Sequence, residues 1–240
     1  MNIVPYGDHA LLIKFENKID FEVNQKVISL SNFLIETSPN GFRYCIPAYC
    51  SLTVVYDPLV TNFAKLRSKI ESIDIKNEKK NVIKSRIINI PVCYQKNYAP
   101  DLETFARSKS KSVEEIISLH SSKLYHVYML GFLPGFAYLG KTDESIKAER
   151  RASPRLKVPA GSVGLAGLQT AIYPYESPGG WQLIGKTPIK PFNEVKENPF
   201  LFQVGDQVKF REIGADEYKA IEIDIIVNKF DTESLIDVGN

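Results

Sequence analysis

Polar side chains that could take part in chemistry are concentrated in one glycine- and proline-rich stretch, residues 128–188. Aliphatic and aromatic residues fill the spaces between the glycines and prolines, so the composition is not that of a disordered segment. Glycine permits positive φ angles and proline presets turns, which together favour one tightly shaped surface. The polar candidates for a binding site on this surface are Arg151, Arg155, Ser162, Gln169 and Thr170.

Basic residues dominate the middle of this stretch. Arg150, Arg151, Arg155 and Lys157 lie close together in the sequence, with only Glu149 to oppose them. Arginine matches two oxygens of a carboxylate or phosphate with parallel hydrogen bonds, so the patch indicates anion binding. For Arg155 a solvated loop face is an equally good interpretation.

The three histidines, His9, His120 and His126, are spread along the chain and match no metal-binding signature, so we expect no metal site. His120 ends a predicted helix, where a cationic ring would interact favourably with the helix dipole. A structural role is the main alternative to catalysis for His120 and for His126. Trp181, the single tryptophan, suits either packing or a pocket wall.

Several common chemistries are not supported by the motifs. The sequence contains no GxxxxGK[ST] phosphate-binding loop. Gly161-Ser162-Val163-Gly164 lacks the residue that separates glycine from serine in the GxSxG nucleophile elbow. The 3 cysteines include no close CxxC pair, which argues against a disulfide framework or a zinc site.

The bulk composition is that of an ordinary globular protein. The chain has 240 residues, of which 44% are apolar and 24% charged, and a formal net charge of +2 that implies no polyanionic partner. The N-terminus has no basic leader followed by an apolar core and a cleavage site. No apolar run approaches the roughly 20 residues that span a bilayer. We therefore expect a cytoplasmic protein.

The first 80 or so residues predict a small α+β unit. Apolar spacing and β-branched residues predict, in order, a strand over 10–15, a helix over 19–35, strands within 42–56 that break at Pro47, and a helix over 62–73. The charged segment 76–81 has no apolar residue and is typical of a solvated linker. We expect an N-terminal α+β domain over residues 1–82, with a ferredoxin-like arrangement.

The remaining residues, 83–240, predict a second domain. Its first elements are a strand over 87–94, a helix over 102–108 that Asp101 is placed to cap, and a helix that starts with a Ser112/Glu115 capping box and ends near His120. From residue 124 to 227, short strands alternate with turns, which predicts a β-barrel or a sandwich.

Runs of two to six residues, spread along most of the chain, carry a resemblance to a known family. In the first half they are Gly7-Asp8-His9-Ala10-Leu11, Pro47-Ala48-Tyr49-Cys50-Ser51-Leu52 and Tyr56-Asp57-Pro58. In the second half they are Ile90-Pro91-Val92-Cys93-Tyr94, Pro100-Asp101-Leu102, Leu119-His120-Ser121, Gly131-Phe132-Leu133-Pro134-Gly135-Phe136, Pro154-Arg155, Val158-Pro159-Ala160-Gly161-Ser162-Val163, Gln169-Thr170, Tyr173-Pro174 and Ser177-Pro178-Gly179-Gly180-Trp181. In these blocks the chain resembles the family of the B-type subunit of the ATP-dependent 5-oxoprolinase of prokaryotes, also labelled the KipI or allophanate hydrolase subunit 1 family.

The chain departs from the pattern of this family in three places. The segment Gln95–Ala99 replaces a glycine-rich turn, Glu149 replaces a proline that usually precedes the arginine pair, and Lys186 replaces a frequent arginine. Lysine lacks the two-pronged geometry of a guanidinium group, so Lys186 would contact a ligand differently from an arginine. The three departures bear on the details of ligand contact.

The resemblance implies a small N-terminal α+β domain followed by a C-terminal cyclophilin-like β-barrel. It also implies two partners: a larger C-type subunit, which is KipA-like or carboxyltransferase-like, and an A-type subunit of the LamB/YcsF group. Such complexes hydrolyse 5-oxo-L-proline to L-glutamate with ATP as co-substrate. No complete catalytic constellation is visible in the sequence, so we expect the isolated chain to be inactive.

The resemblance also suggests roles for the candidate residues. We expect His120 as an acid/base and Arg155 as catalytic residues, with Arg151 and Arg155 holding an anionic group. The expected substrate-binding residues are Arg151, Ser162, Gln169, Thr170 and Trp181.

Other functions compete with this interpretation. A KipI-like inhibitor of a sensor histidine kinase uses the same fold and stays an alternative. Prolyl isomerisation would follow only from the cyclophilin-like fold, and the FHR block of cyclophilins is missing here. Allophanate hydrolysis uses a Ser-Ser-Lys amidase, which this chain lacks.

Overall fold

The computed structural model describes residues 1–73 and 86–238, and the chain divides into two compact units, Met1–Ile83 and Lys84–Asn240. The predicted linker over 76–81 and the predicted boundary after residue 82 lie outside the described residues. Each unit has its own apolar core. Within the described ranges, no helix combines the length and the apolar character that crossing a bilayer requires.

The N-terminal unit is built on a four-stranded antiparallel sheet. Its elements are β1 (Asn2–Pro5), β2 (Ala10–Lys14), α1 (Phe21–Thr37), β3 (Phe42–Pro47), β4 (Ser51–Tyr56) and α2 (Phe63–Glu71). The strand order is β1-β2-β4-β3, so β2 and β4 are central. Their alternate residues, such as Leu11, Ile13 and Val54, are buried in one core with residues of both helices. Strand β1, a short edge strand, was not predicted from the sequence.

Helix α1 follows directly from its sequence. The carboxylate of Asp20 accepts a hydrogen bond from the Val23 N–H at 3.0 Å and so caps the first turn. Val23, Val27 and Leu34 recur at helical spacing and are buried. Removing each such side chain from water contributes about 1.5–3 kcal/mol. The helix ends at Ser38, which has a positive φ of 38°.

The C-terminal unit contains most of the strands. Its elements are β5 (Arg86–Cys93), α3 (Leu102–Ser108), α4 (Val113–Ser121), β6 (Leu124–Leu130), β7 (Ala137–Gly140), β8 (Arg155–Val158), β9 (Ser162–Ala166), β10 (Gln169–Ile172), β11 (Ser177–Gly179), β12 (Gln182–Lys186), β13 (Gln207–Ile213), α5 (Ala215–Ile226) and β14 (Ile236–Val238). The capping box of Ser112 and Glu115 is confirmed, because both of its hydrogen bonds are present at the start of α4.

Seven of these strands close into a barrel. The order around the ring is β12-β9-β10-β7-β6-β13-β5, and β5 pairs back with β12. Strands β5 and β13 are parallel, whereas the other neighbours in the ring are antiparallel. Strand β14 adds to the first residues of β5. The fold is therefore a mixed α+β one with a closed barrel, which confirms the coarse expectation and selects the barrel over the sandwich.

Successive side chains of the barrel strands point to opposite faces and so belong to two different apolar clusters. Leu165 and Ile172 belong to the main core, while their neighbours Ala166, Ala171 and Tyr173 belong to a second cluster. We call this second group the outer cluster; its buried members are Phe136, Val158, Ala166, Ala171, Tyr173, Trp181 and Leu183. The two-stranded ribbon of β8 and β11 contributes Val158 to it.

The segment after β13 corrects the sequence-based prediction of strands up to residue 227. Residues 215–226 form helix α5 instead. Tyr218, Ile221 and Ile225 recur at helical spacing and face the protein, while Asp216 and Glu217 occupy the first turn. The helical period was present in the sequence, but the isoleucine-rich composition suggested a strand.

Candidate functional site

The segment that carries the arginines is fastened to the barrel by its backbone. Ala148 forms a bridge with Gly167, and the N–H of Arg151 donates to the carbonyl of Gly180 at 2.7 Å. The Gln182 side chain donates to the Glu149 carbonyl at 2.9 Å. These bonds hold the backbone of the arginine-bearing segment beside strand β12.

A buried carboxylate organises two of the arginines. Asp101 Oδ1 accepts from Arg155 Nη2 at 2.6 Å and lies 3.4 Å from Arg151 Nη1. Asp101 Oδ2 accepts from the Leu183 N–H at 2.7 Å, and the Asp101 N–H donates to the Leu183 carbonyl at 3.0 Å. We call Asp101, Arg150, Arg151 and Arg155 the arginine cluster.

The cluster has more positive than negative charge. Arg150 has no ion-pair partner within the described part of the chain, and Asp101 contacts Arg151 and Arg155. Three guanidinium charges are thus set against one carboxylate. Burial raises the pKa of Tyr173, and the Trp181 backbone N–H and the charge of Arg150 act against this increase. The Tyr173 hydroxyl therefore stays protonated and lies within the electric field of the arginines. Excess guanidinium charge beside a protonated hydroxyl suits a small anion.

Aromatic side chains adjoin the cluster. Phe136 makes edge-on contacts with Tyr173 and Trp181, at centroid distances of 5.4 Å and 5.7 Å. Trp181 is buried in the outer cluster, so the structure gives it a packing contact, and its role as a pocket wall stays a prediction. Phe132 is exposed and has a positive φ of 71°, an uncommon conformation for a large side chain.

His120 lies inside the barrel unit, away from solvent. Its Nδ1 is 2.7 Å from the Tyr94 hydroxyl, and its Nε2 is 2.9 Å from the Thr170 hydroxyl. The ring stacks on Phe210 at 4.5 Å. Burial lowers the pKa of His120 to about 3, so the ring is neutral at ordinary pH. We call Tyr94, His120 and Thr170 the histidine network.

The remaining sequence-predicted residues are not all together. Thr170 is in the histidine network, and Ser162 is buried at the start of β9, where its carbonyl accepts from the Tyr173 N–H at 2.9 Å. Gln169 is half-buried at the start of β10. The structure thus joins Arg151 with Arg155 and His120 with Thr170, in two separate groups.

The role of Asp101 was not predicted from the sequence. We expected an N-cap, and Asp101 does precede α3, but its side chain makes no capping bond and its backbone is not extended. The carboxylate turns instead to Leu183 and to the arginines, because a buried carboxylate requires hydrogen-bond donors and a charged partner. The only sequence signal was an acidic residue within a family block, with no local feature to indicate its partners.

Other described regions of the molecule are weaker candidates for a functional site. Within residues 1–73 and 86–238, no group of three or more metal-ligating side chains is assembled. A cavity of about 310 Å³ is lined by Glu103, Arg107, Lys111 and neighbours on α3 and α4, and a second of about 180 Å³ by residues around Phe200. Neither is lined by the arginine cluster, so we place the candidate site by its charge and hydrogen bonds.

Comparison with known proteins identifies the family. The family described as "Carboxyltransferase domain, subdomain C and D" matches residues 1–202. The B-type subunit of 5-oxoprolinase from Bacillus subtilis (strain 168) is 42% identical over 224 residues, which cover 89% of this chain and 93% of that protein.

Solved structures share the fold. TTHA0988 superposes with a TM-score of 0.76 at 33% identity, over 86% of this chain and 40% of that one. The K. lactis urea amidolyase superposes with a TM-score of 0.79 at 20% identity, over 99% of this chain and 16% of that one, a likeness that concerns the fold alone. The resemblance seen in the sequence blocks is thereby confirmed: the chain belongs to the carboxyltransferase subdomain C and D family, in the group that includes the B-type subunits of 5-oxoprolinase.

Proposed function

We propose that this chain is a non-autonomous subunit of an ATP-dependent 5-oxoprolinase complex that hydrolyses 5-oxo-L-proline to L-glutamate. The observation that carries the proposal is its identity with a protein named as the B-type subunit of 5-oxoprolinase, along nearly the full length of both chains. The arginine cluster supports it, because 5-oxo-L-proline carries a carboxylate that guanidinium groups bind well.

The reaction explains why positive charge is useful. An unactivated lactam is a poor electrophile, and phosphorylation of its oxygen at the expense of ATP converts that oxygen into a leaving group. Water then adds to the ring carbon and the carbon–nitrogen bond opens, which leaves an acyl phosphate and a free amine. A second water hydrolyses the acyl phosphate to glutamate and phosphate, and ADP remains from the phosphorylation step. Guanidinium groups stabilise the negative charge of such phosphoryl and tetrahedral species.

Individual roles follow for the candidate residues. Arg151 and Arg155 hold an anionic group of the substrate, and Arg150 adds to the attraction. Ser162, Gln169 and Trp181 as substrate-binding residues remain part of the proposal. His120 as acid/base and Thr170 as a substrate-binding residue form its alternative, a site inside the barrel, which Thr170→Val tests. Because His120 and Thr170 are enclosed, a substrate could contact them only after the barrel opens locally.

Partners are part of the same proposal. We infer a larger, carboxyltransferase-like C-type subunit and an A-type subunit of the LamB/YcsF group, which assemble with this chain in the cytoplasm. This is supported by the solved relatives, in which the matched region occupies 40% and 16% of much longer chains. A module that is fused to others in some proteins suits a subunit that works only in a complex.

We also propose a finer assignment for the fold of each unit. The N-terminal order β1-β2-β4-β3, with α1 and α2 following β2 and β4, supports a ferredoxin-like sheet in which the N-terminal strand replaces the usual last one. The closed seven-stranded barrel supports a cyclophilin-like second domain.

Reconstitution tests the function. This chain is mixed with its two inferred partners, 5-oxo-L-proline and ATP, and glutamate and ADP are quantified, with each of the three proteins omitted in turn. We expect glutamate only in the complete mixture and a large loss with Arg155→Ala. Turnover by the isolated chain would contradict a non-autonomous role. A stable complex without turnover would contradict the enzyme proposal and favour the kinase-inhibitor alternative.

A further inference from the structure

Two buried polar atoms on the β8–β11 ribbon have no hydrogen-bond partner. They are Nη1 of Arg155 and the hydroxyl of Ser177, which is only 7% exposed. Buried donors and acceptors in native proteins are nearly always paired, because leaving one unpaired costs free energy. An unpaired guanidinium nitrogen and an unpaired hydroxyl on one small ribbon therefore indicate a group that binds there.

The two atoms belong to paired strands. Arg155 on β8 is opposite Gly179 on β11, and Val158 is opposite Ser177, with a register shift between the two pairs. A Cβ atom at Gly179 would overlap the Tyr173 hydroxyl, so this glycine keeps the hydroxyl close to the ribbon. Arg155 and Ser177 thus provide buried donors on the ribbon itself, and the Tyr173 hydroxyl lies directly beside it.

The two arginines that contact Asp101 are held differently. Arg155 makes a short bond of 2.6 Å through Nη2, and its side chain is 23% exposed. The contact of Arg151 is 3.4 Å, and its side chain is 38% exposed. Arg155 is therefore a fixed group, whereas Arg151 can exchange its longer contact with Asp101 for a contact with a ligand.

We propose that the ribbon is a carboxylate-binding site in which Arg155 Nη1 and the Ser177 hydroxyl are the donors, Asp101 is the positioning residue and Arg151 is the exchangeable arm. This rests on the proposed function and identifies the bound group as the carboxylate of the lactam substrate. One guanidinium nitrogen and one hydroxyl match the two oxygens of a carboxylate. The three oxygens and higher charge of a terminal phosphate call for more unpaired donors than the two found on this ribbon.

Two conservative substitutions separate ligand binding from structure. Ser177→Ala removes a hydroxyl that bonds nothing in the protein, so the fold stays at least as stable. Arg155→Lys keeps an ammonium for Asp101 but cannot reach a second partner with a planar fork. Ser153→Ala, an exposed serine in the arginine segment, and Arg211→Lys, a surface pair with Glu217, are the matched controls.

The experiment uses the assembled complex. The kcat and KM for 5-oxo-L-proline are measured, and isothermal titration calorimetry gives the dissociation constants of 5-oxo-L-proline and of ATP. We expect both variants to raise the KM and the dissociation constant of 5-oxo-L-proline roughly 10-fold or more, which corresponds to about 1.4 kcal/mol. We expect ATP binding and both control variants to be unchanged.

Each other outcome overturns the proposal. If Arg155→Lys and Ser177→Ala weaken ATP binding instead, the bound group is a phosphate. If they change neither ligand, water satisfies these atoms and the ribbon is not a site, although the proposed function would still stand. If the wild-type complex neither turns over nor binds 5-oxo-L-proline in the calorimeter, the proposed function fails and the carboxylate site fails with it.

Discussion

The histidine network and the arginine cluster are both buried polar groups in the C-terminal unit, but they satisfy their hydrogen bonds differently. In the histidine network, both ring nitrogens of His120 have a hydroxyl partner. A neutral imidazole offers one donor and one acceptor, and a hydroxyl can serve as either, so the network is complete. In the arginine cluster, Arg155 keeps one nitrogen without a partner, and Arg150 has no ion pair among the described residues.

This difference separates a structural network from a binding surface. A complete buried network fixes a unique packing arrangement and leaves nothing for a ligand. A cluster with spare donors and excess charge is not optimal for stability alone, and such exceptions concentrate at functional sites. We therefore expect changes in the histidine network to affect mainly stability, and changes in the arginine cluster to affect mainly ligand binding, with Asp101 affecting both.

The largest expected effect is that of Asp101→Ala. It leaves the Arg155 guanidinium and the Leu183 N–H without their shared acceptor. Removing one partner of a buried ion pair destabilises a protein by about 3–5 kcal/mol. Urea unfolding of the wild type and the variant measures this loss.

Glu217→Ala is the control for this substitution, since it breaks an exposed ion pair with Arg211 that contributes less than about 1 kcal/mol. Asp101→Asn should fall between the two, because the amide keeps one acceptor oxygen. Equal effects of Asp101→Ala and Glu217→Ala would mean that Asp101 does not organise the cluster.

The histidine network predicts a specific loss of stability in acid. The folded pKa of His120, about 3, is below the 6.5 of an unperturbed histidine, so the unfolded chain binds a proton that the folded chain does not. The contribution of His120 to the free energy of unfolding is therefore fully present above pH 6.5 and is lost as the pH is lowered towards 3. At pH 5 the loss from His120 is about 2 kcal/mol.

His126 contributes in the same direction, because burial lowers its pKa to about 4. Unfolding of the wild type should thus take up about half a proton for each of these two histidines at pH 6.5 and close to one at pH 5. At pH 5, His120→Gln should reduce the slope of unfolding free energy against pH by about one proton. Identical slopes for His120→Gln and the wild type would show that the ring is accessible to protons in the folded state.

Local features of the fold could be predicted from the sequence. The apolar spacing of α1 and the capping box at Ser112 and Glu115 involve residues three or four apart, and both are present as expected. Helix α5 was missed although its period was visible, since isoleucine also favours strands. Edge strand β1 is too short to give a clear pattern.

The site depends on contacts that no local pattern encodes. Asp101 and Leu183 are separated by 82 residues, and His120 and Thr170 by 50. The barrel topology brings them together, so residue types in family blocks could indicate candidates but not their partners. Arg151 and Arg155 could be named from charge alone, whereas the sequence contained no sign that Ser177 has an unpaired hydroxyl.

The smallest expected effect is that of Thr170→Val, a nearly isosteric change that removes only the partner of His120 Nε2. Leaving one buried ring nitrogen unpaired should cost about 1 kcal/mol in urea unfolding. If the network is structural, the KM for 5-oxo-L-proline in the assembled complex should remain that of the wild type. A raised KM with unchanged stability would instead support the substrate-binding role predicted from the sequence, and would place the site inside the barrel rather than on the ribbon. Thr104→Val, which removes a long surface contact with Arg107, controls for the loss of a threonine hydroxyl itself.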